Sequence, residues 1–376
     1  MIYFDNAATG GFKPNNVLNK VNYVLKNLNA NAGRSGHRLS RAGADIVYQA
    51  RKKLCTFFNS GQVEKVIFTK NCSEALNTAI YGLVKKGDHV ITTIFEHNSV
   101  LRPLFNLQEK GFITLTIISP KNNQFITKSD VENAFTLNTS LVIINHASNV
   151  TGAVNEIKEI GEFLKDKNAV FLVDGAQSAG HLKIDMKEFN IDALSIAGHK
   201  GLYAMQGSGA LIFNDKTNIL DTFQGGTGTE TFNKFQPTCY PERLEYGTLN
   251  LPAITSLLEG VKYVENGLPI ISATLLDYTA LIINELKKID GVKVFSSKNE
   301  CGIVAFLLPN LPSSEVSEIL SSNYDICVRG GFHCAPLVHE FLNTTEVGLV
   351  RVSLSPHNTK KEIFAFINAI KTIALL

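Results

Sequence analysis

No two cysteines in this 376-residue chain are spaced as CxxC. The six (Cys55, Cys72, Cys239, Cys301, Cys327 and Cys334) lie scattered, which argues against a disulfide framework or a zinc site and fits reduced thiols in a cytosol. Any cysteine that matters therefore acts alone, and no metal site is expected. Net charge is nearly lacking as well. A formal +2 gives no reason to expect nucleic acid or an anionic membrane as a partner. The segment Met1-Ile2-Tyr3-Phe4-Asp5-Asn6 has neither the basic nor the long apolar stretch of a signal peptide, and no apolar run is expected to be long enough to cross a bilayer. Repeats and low-complexity linkers are missing too. The composition that remains, 44% hydrophobic and 19% charged, is that of a globular protein expected in the cytoplasm. Its length exceeds what one hydrophobic core usually serves, so two domains are expected.

Short apolar runs at 66–69, 89–93, 141–145, 170–174, 193–197 and 210–213 read as strands. Helical patterns at 73–84, 99–109 and 154–165 lie between them. This alternation predicts an α/β architecture, a largely parallel sheet covered on both faces, with ligands gathering at the carboxyl ends of the strands. After about Pro252 the texture changes. A long helical pattern (253–266, then 272–288) leads into short strands and helices that read as a smaller α+β domain. The first dozen residues are expected to cross to that domain or to line the cleft.

The chemistry-bearing residues follow these strands. The run 191–197 ends in Gly198-His199-Lys200, with Gly201, Gly207 and Gly209 marking a bend. A lysine where a strand leaves the core sits against apolar surface, which disfavours its ammonium form and leaves an amine able to attack a carbonyl. Asn71 and Glu74 have capping-box spacing at the start of a helix whose first amides favour an anion, although an ordinary helix start reads the same way. His97 follows the second strand, where an imidazole could stack on a flat ring, move a proton or be a plain loop residue. Asn149 follows the third and could donate to an oxygen. Asp174 closes an all-apolar strand, a costly place for a carboxylate unless a cation meets it; a protonated pyridine nitrogen is such a cation, and a helix cap is the alternative. Gln177, one short turn on, could reach a ring oxygen. Lys200 lies twenty-six residues beyond Asp174, room for one helix and one strand. A helix N-terminus, a histidine, an aspartate and a lysine in this order form the apparatus that pyridoxal 5′-phosphate requires.

The ordered set resembles the fold-type I pyridoxal-phosphate enzymes of the class V aminotransferase group, specifically the cysteine desulfurase/selenocysteine lyase-like family. The likeness runs from Tyr3-Phe4-Asp5-Asn6-Ala7-Ala8-Thr9 through residues 68–74, Glu96-His97-Asn98, Ser148-Asn149, Asp174-Gly175-Ala176-Gln177 and Gly198-His199-Lys200, and on to 243–248, 329–336 and 351–359. It implies a large domain (14–255) with a mostly parallel seven-stranded sheet, and a small domain formed by 1–13 and 256–376. It also implies that Lys200 tethers the cofactor, Asp174 pairs with its ring nitrogen, Gln177 meets its phenolic oxygen and His97 stacks on the ring. Cys72, Ser73 and His199 hold the phosphate, helped by Thr248 from the partner of a homodimer. Arg351 takes the substrate carboxylate, assisted by Asn149. Relatives often carry a phosphate-binding serine where this chain has Ala197, and threonines where it has Cys72 and Ser73.

Which bond breaks depends on the remaining groups. Cys334 lies in the loop Arg329-Gly330-Gly331-Phe332-His333-Cys334, where cationic neighbours, Arg329 and His333, are expected to favour a thiolate. Cys55, Cys301 and Cys327 read as inert small hydrophobes. The resemblance then implies L-cysteine as substrate, L-alanine as product and a persulfide on Cys334 that passes to an acceptor protein. Lys200 moves the Cα proton. Selenocysteine lyase is a rival reading, as is a class V aminotransferase or epimerase in which Cys334 plays no part.

Overall fold

The apolar runs become strands of one sheet in a computed structural model that describes residues 1–121 and 124–375. The chain starts with β1 (Ile2–Tyr3), α1 (Asn15–Asn27) and α2 (Arg38–Phe57). Then follow β2 (Val66–Thr69), α3 (Cys72–Leu83), β3 (Asp88–Thr93), α4 (Asn98–Glu109), β4 (Ile113–Ile118), α5 (Lys128–Ala134) and β5 (Thr139–Asn145). The first half of the fold closes with α6 (Ile157–Leu164), β6 (Val170–Asp174), β7 (Ala193–Ala197) and β8 (Gly209–Phe213). Strands β2 to β8 form a seven-stranded sheet in the order β2-β8-β7-β6-β5-β3-β4, in which only β8 runs antiparallel to its neighbours.

Side chains alternate across a strand, so each run divides between two cores. Val142, Ile144, Phe171, Val173, Leu194 and Ile196 enter one, while Leu141, Ile143, Leu172, Ala193 and Ala197 enter the other. Both faces are covered, which is why these runs are apolar throughout rather than alternating. Each buried valine, leucine, isoleucine or phenylalanine contributes about 1.5–3 kcal/mol, so the register of the central strands is strongly specified.

The second half holds α7 (Leu251–Leu286), β9 (Lys293–Val294), β10 (Ile303–Leu307), α8 (Ser313–Tyr324), β11 (Ile326–Cys327), β12 (Arg329–Gly331), α9 (Pro336–Phe341), β13 (Leu349–Ser353) and α10 (Lys360–Ile373). A four-stranded antiparallel sheet runs β12-β13-β10-β9. Two expectations fail at α7. It is one continuous helix where the sequence suggested two, because Pro269 lies inside it and the helix runs on. A proline removes one intrahelical donor and strains one turn, and packing of both flanks outweighs that cost. An 18-residue window of the same helix has a hydropathy of 1.4, so a run long enough to cross a bilayer does exist by length and composition. Here the helix packs on α1, α2 and α10.

The first residues reach the C-terminal strands. Ile2 and Tyr3 pair in parallel with Ile326 and Cys327, Asp5 bridges to Ser353, and the Ala7 amide donates to Ser353 Oγ at 2.9 Å. Near the opposite edge, Arg51 of α2 forms a buried ion pair with Glu245. Its guanidinium also donates to the Val66 carbonyl, and Glu245 Oε1 accepts from the Phe68 amide at 2.7 Å, so the pair grips strand β2.

Candidate active site

Three strand ends of the large sheet and the start of α3 meet around one cavity. Cys72, Ser73, His97, Asn149, Asp174, Gln177, His199 and Lys200, eight of the residues expected from sequence, all line it. Asn71, Ser99, Asn145 and Ala197 lie among them.

The start of α3 is built as the spacing predicted, with one difference. Asn71 Oδ1 accepts from the Glu74 amide at 2.9 Å, but the Glu74 carboxylate reaches back to the Lys70 amide rather than to that of Asn71, so the reciprocal box is not closed. The amides of Cys72 and Ser73 have no helical carbonyl to donate to and favour an anion there. Gly209 at the start of β8 permits this approach. A Cβ on it would stand 2.7 Å from the Asn71 carbonyl carbon.

Asp174 is 6% exposed. Burial raises its proton affinity, while the Ala176 amide, Lys200 and the Cys72 thiol lower it. Oδ1 accepts from the Ala176 amide at 2.8 Å and from Cys72 Sγ at 3.3 Å. The Cys72 side chain thus turns to the carboxylate. Burial depresses the Lys200 pKa, as expected of a lysine at a strand end, Asp174 opposes that effect, and Arg351 and Arg329 add to it.

His97 caps α4. Its Nδ1 accepts from the Ser99 amide at 3.1 Å and meets Ser99 Oγ at 2.8 Å, and Ser99 Oγ in turn meets Ser73 Oγ. Burial and the nearby cations Lys200, Arg329, Arg102 and Arg351 lower its pKa to about 4, so the ring is neutral near neutral pH. His199 is likewise lowered to about 4 by burial and by Lys200 and Lys13, and its Nδ1 meets Thr9 Oγ1 at 3.2 Å. Gln177 donates to the Ala7 carbonyl at 3.1 Å.

Arg351, 1% exposed, stands behind this wall. Its Nη1 donates to the Asn149 carbonyl at 2.9 Å and its Nη2 pairs with Asp5 at 2.8 Å, while Nε is buried with no partner. Asp5 carried no role in the sequence reading. Its only signal was a place inside the N-terminal stretch of the resemblance, since its partner is 346 residues away. Glu96 was also passed over, although it precedes His97. It is fully buried, accepts from Thr93 Oγ1 and the Asn145 amide, and has its second oxygen unpartnered.

The Cys334 loop is bound to the same wall by its main chain. The Asn98 amide donates to the Cys334 carbonyl and Asn149 Nδ2 donates to the His333 carbonyl, each at 2.7 Å. His333 and Cys334 both have left-handed backbone, with φ of 50° and 58°. The Cys334 thiol is exposed, 3.8 Å from Arg329 Nη2. One expectation is corrected here. His333 lends the thiol no charge, because its ring is buried against the Leu349 carbonyl, beside Arg351 and Arg329, which holds it neutral. Among the described residues Arg329 is the cation hydrogen-bonded to the thiol, and Arg351 lies near enough to interact with its charge. Thr248 lies elsewhere, in a separate cavity with Phe68, Lys70, Glu74 and Gly209, where its Oγ1 accepts from Asn31 at 3.3 Å.

Comparison with known proteins places the chain among similar sequences along its length. The family model described as "Aminotransferase class-V" matches residues 2–366. A protein of Pyrococcus abyssi named "Probable cysteine desulfurase" is 32% identical, over 99% of this chain and 94% of its own. A protein of the same name from Methanothermobacter thermautotrophicus is 32% identical, over 96% and 92%. The apo structure of a cysteine desulfurase from Thermococcus onnurineus NA1 superposes with a TM-score of 0.92 at 31% identity, covering 100% of this chain and 94% of that one.

Proposed function

This chain belongs to the class-V aminotransferase family, and on that premise we propose that it is a pyridoxal 5′-phosphate-dependent cysteine desulfurase, converting L-cysteine to L-alanine and keeping the sulfur as a persulfide on Cys334. The observation that carries the reading is that His97 and Asn149 line the cavity with Asp174 and Lys200, while Asn149 and Asn98, next to His97, bind the backbone of the Cys334 loop. The residues fit the cofactor. Asp174 keeps one oxygen without a protein partner at the cavity, α3 offers free amides to a phosphate, and Lys200 faces the same space. Bound there, pyridoxal 5′-phosphate supplies a carbonyl for the substrate amine and a sink for electrons from Cα.

The chain's own groups do the rest. Lys200 Nζ, depressed by burial, is a base able to take the Cα proton and return it. Asp174 holds the proton on the ring nitrogen. The neutral His97 can stack without repelling a cationic ring, and Ser73 and His199 flank the phosphate position. Gln177 would meet the phenolic oxygen. Arg351, held behind the wall by Asp5 and by the Asn149 backbone, would take the substrate carboxylate in exchange for one of these partners. The Cys334 sulfur bonds to the substrate sulfur as the substrate C–S bond breaks, and a proton delivered to that carbon completes alanine.

The proposal extends to the assembly. A homodimer would bring Thr248 to the partner's phosphate, and the loop 224–229, otherwise a flexible turn, beside it. The division into 14–255 against 1–13 with 256–376 leaves the seven-stranded sheet in one part and the four-stranded sheet and the β1–β11 pair in the other. An exposed thiol suits an acceptor protein that reaches in, and six free cysteines suit the cytoplasm. The test is to supply L-cysteine and assay alanine together with enzyme-bound persulfide. Cys334→Ala should reduce sulfur release to background and leave the absorbance of the bound cofactor intact. Release at the parental rate from that variant would falsify the persulfide route.

A further inference from the structure

Cys72 is the first residue of α3 and 7% exposed, with its sulfur 3.3 Å from Asp174 Oδ1. A thiol against a carboxylate can only donate, and the burial that raises its pKa well above the ordinary value keeps the proton on sulfur. Asp174 Oδ1 therefore receives two donors, the Ala176 amide and this S–H. Oδ2 receives none from the described residues and belongs to a side chain more than nine-tenths buried that lines the cavity. A carboxylate held by two donors on one oxygen cannot rotate freely, so its second oxygen is presented to the cavity in one orientation.

We propose that Cys72 is a positioning residue: its S–H fixes Asp174 Oδ1 so that Oδ2 alone meets the ring N–H of the cofactor. The inference rests on the function proposed above and assigns Cys72 to the ring-nitrogen end of the cofactor rather than to the phosphate end. The choice of sulfur has a physical meaning. A thiol is a weak donor, so it orients the carboxylate while withdrawing little of the negative charge that the ring nitrogen needs. Alanine would orient nothing, and serine would orient but withdraw more.

The first measurement does not depend on turnover. The S–H stretching band of Cys72, isolated by subtracting the infrared spectrum of Cys72→Ser from that of the full-length protein, should sit below that of a free thiol and move up in Asp174→Asn. An unshifted band, or one indifferent to Asp174→Asn, overturns the proposal. The second measurement is cofactor affinity and the pH midpoint of the bound cofactor's absorbance. Cys72→Ala should weaken pyridoxal 5′-phosphate binding roughly three- to tenfold, the range for loss of one ordinary hydrogen bond, as suits a weak thiol donor, and should shift the midpoint. Cys72→Ser should restore most of the affinity with a midpoint of its own. Both effects of Cys72→Ala should vanish in the Asp174→Asn background. Effects of equal size in that background mean that Cys72 acts through packing or through the phosphate, and the proposal fails. A parent protein that takes up no pyridoxal 5′-phosphate overturns the functional reading itself, an outcome distinguishable because it appears without any variant.

Discussion

Single residues in and under the cavity carry protonation states that their sequence neighbours do not suggest. His333 is flanked by a cysteine, and its ring is neutral because burial removes water and Arg351 and Arg329 repel a further positive charge, while the Leu349 carbonyl of β13 pulls the other way. Glu96 is the counterpart among acids. Burial lifts its carboxyl from 4.5 to about 8, with the Asn145 amide pulling the other way. Between these values the unfolded chain has released a proton that the fold still holds. Glu96 therefore costs stability progressively as pH rises from about 4.5 to about 8. Glu96→Gln keeps the acceptor for Thr93 and Asn145 and lacks this pH dependence. Its urea midpoint should gain on the parent's between about pH 5 and about pH 8. A constant gap across that range would show the carboxylate to be ionised in the fold.

At the scale of elements, ends mattered more than interiors. The Thr359-Glu362 box at the start of α10 is closed in both directions, with Glu362 N donating to Thr359 Oγ1 at 3.2 Å and Thr359 N to Glu362 Oε2 at 2.7 Å. Thr359→Ala should cost about 1 kcal/mol of unfolding free energy, measured by urea titration. The helix behind it places Phe366 edge-on to Phe4 and Phe306, so fraying there loosens a core contact. The strands were legible because apolar runs ending in Asn145, Asp174 or Ala197-Gly198 leave few other structures open. So was the convergence of His97, Asp174 and Lys200, since strand ends of a parallel sheet share one edge. The continuity of α7 was not, because Gly267 and Pro269 are local stop signals and the packing that overrides them is distant. The direction of the Cys72 thiol was hidden for a similar reason: its acceptor lies 102 residues along the chain.

The whole molecule is held by a few long-range polar links over two apolar cores. The pair Arg51–Glu245 is the sharpest of these, with side chains 7% and 8% exposed. Glu245→Ala would leave a guanidinium buried opposite nothing, and should cost about 3–5 kcal/mol in global unfolding by denaturant. Glu245→Gln, which keeps acceptors for Arg51 and the Phe68 amide, should cost less; equal losses would show that the charge is immaterial. A second long-range link constrains how the molecule comes into being. Asp5 and Ala7 find their partners at Arg351 and Ser353, and Ile2 and Tyr3 find theirs at 326 and 327. On a ribosome, which releases the chain from its N-terminus onward, the opening segment must wait until Ser353 has emerged before it can dock fully. The arginine behind the cavity gains its Asp5 partner only then, so a shorter nascent chain is not ready to act.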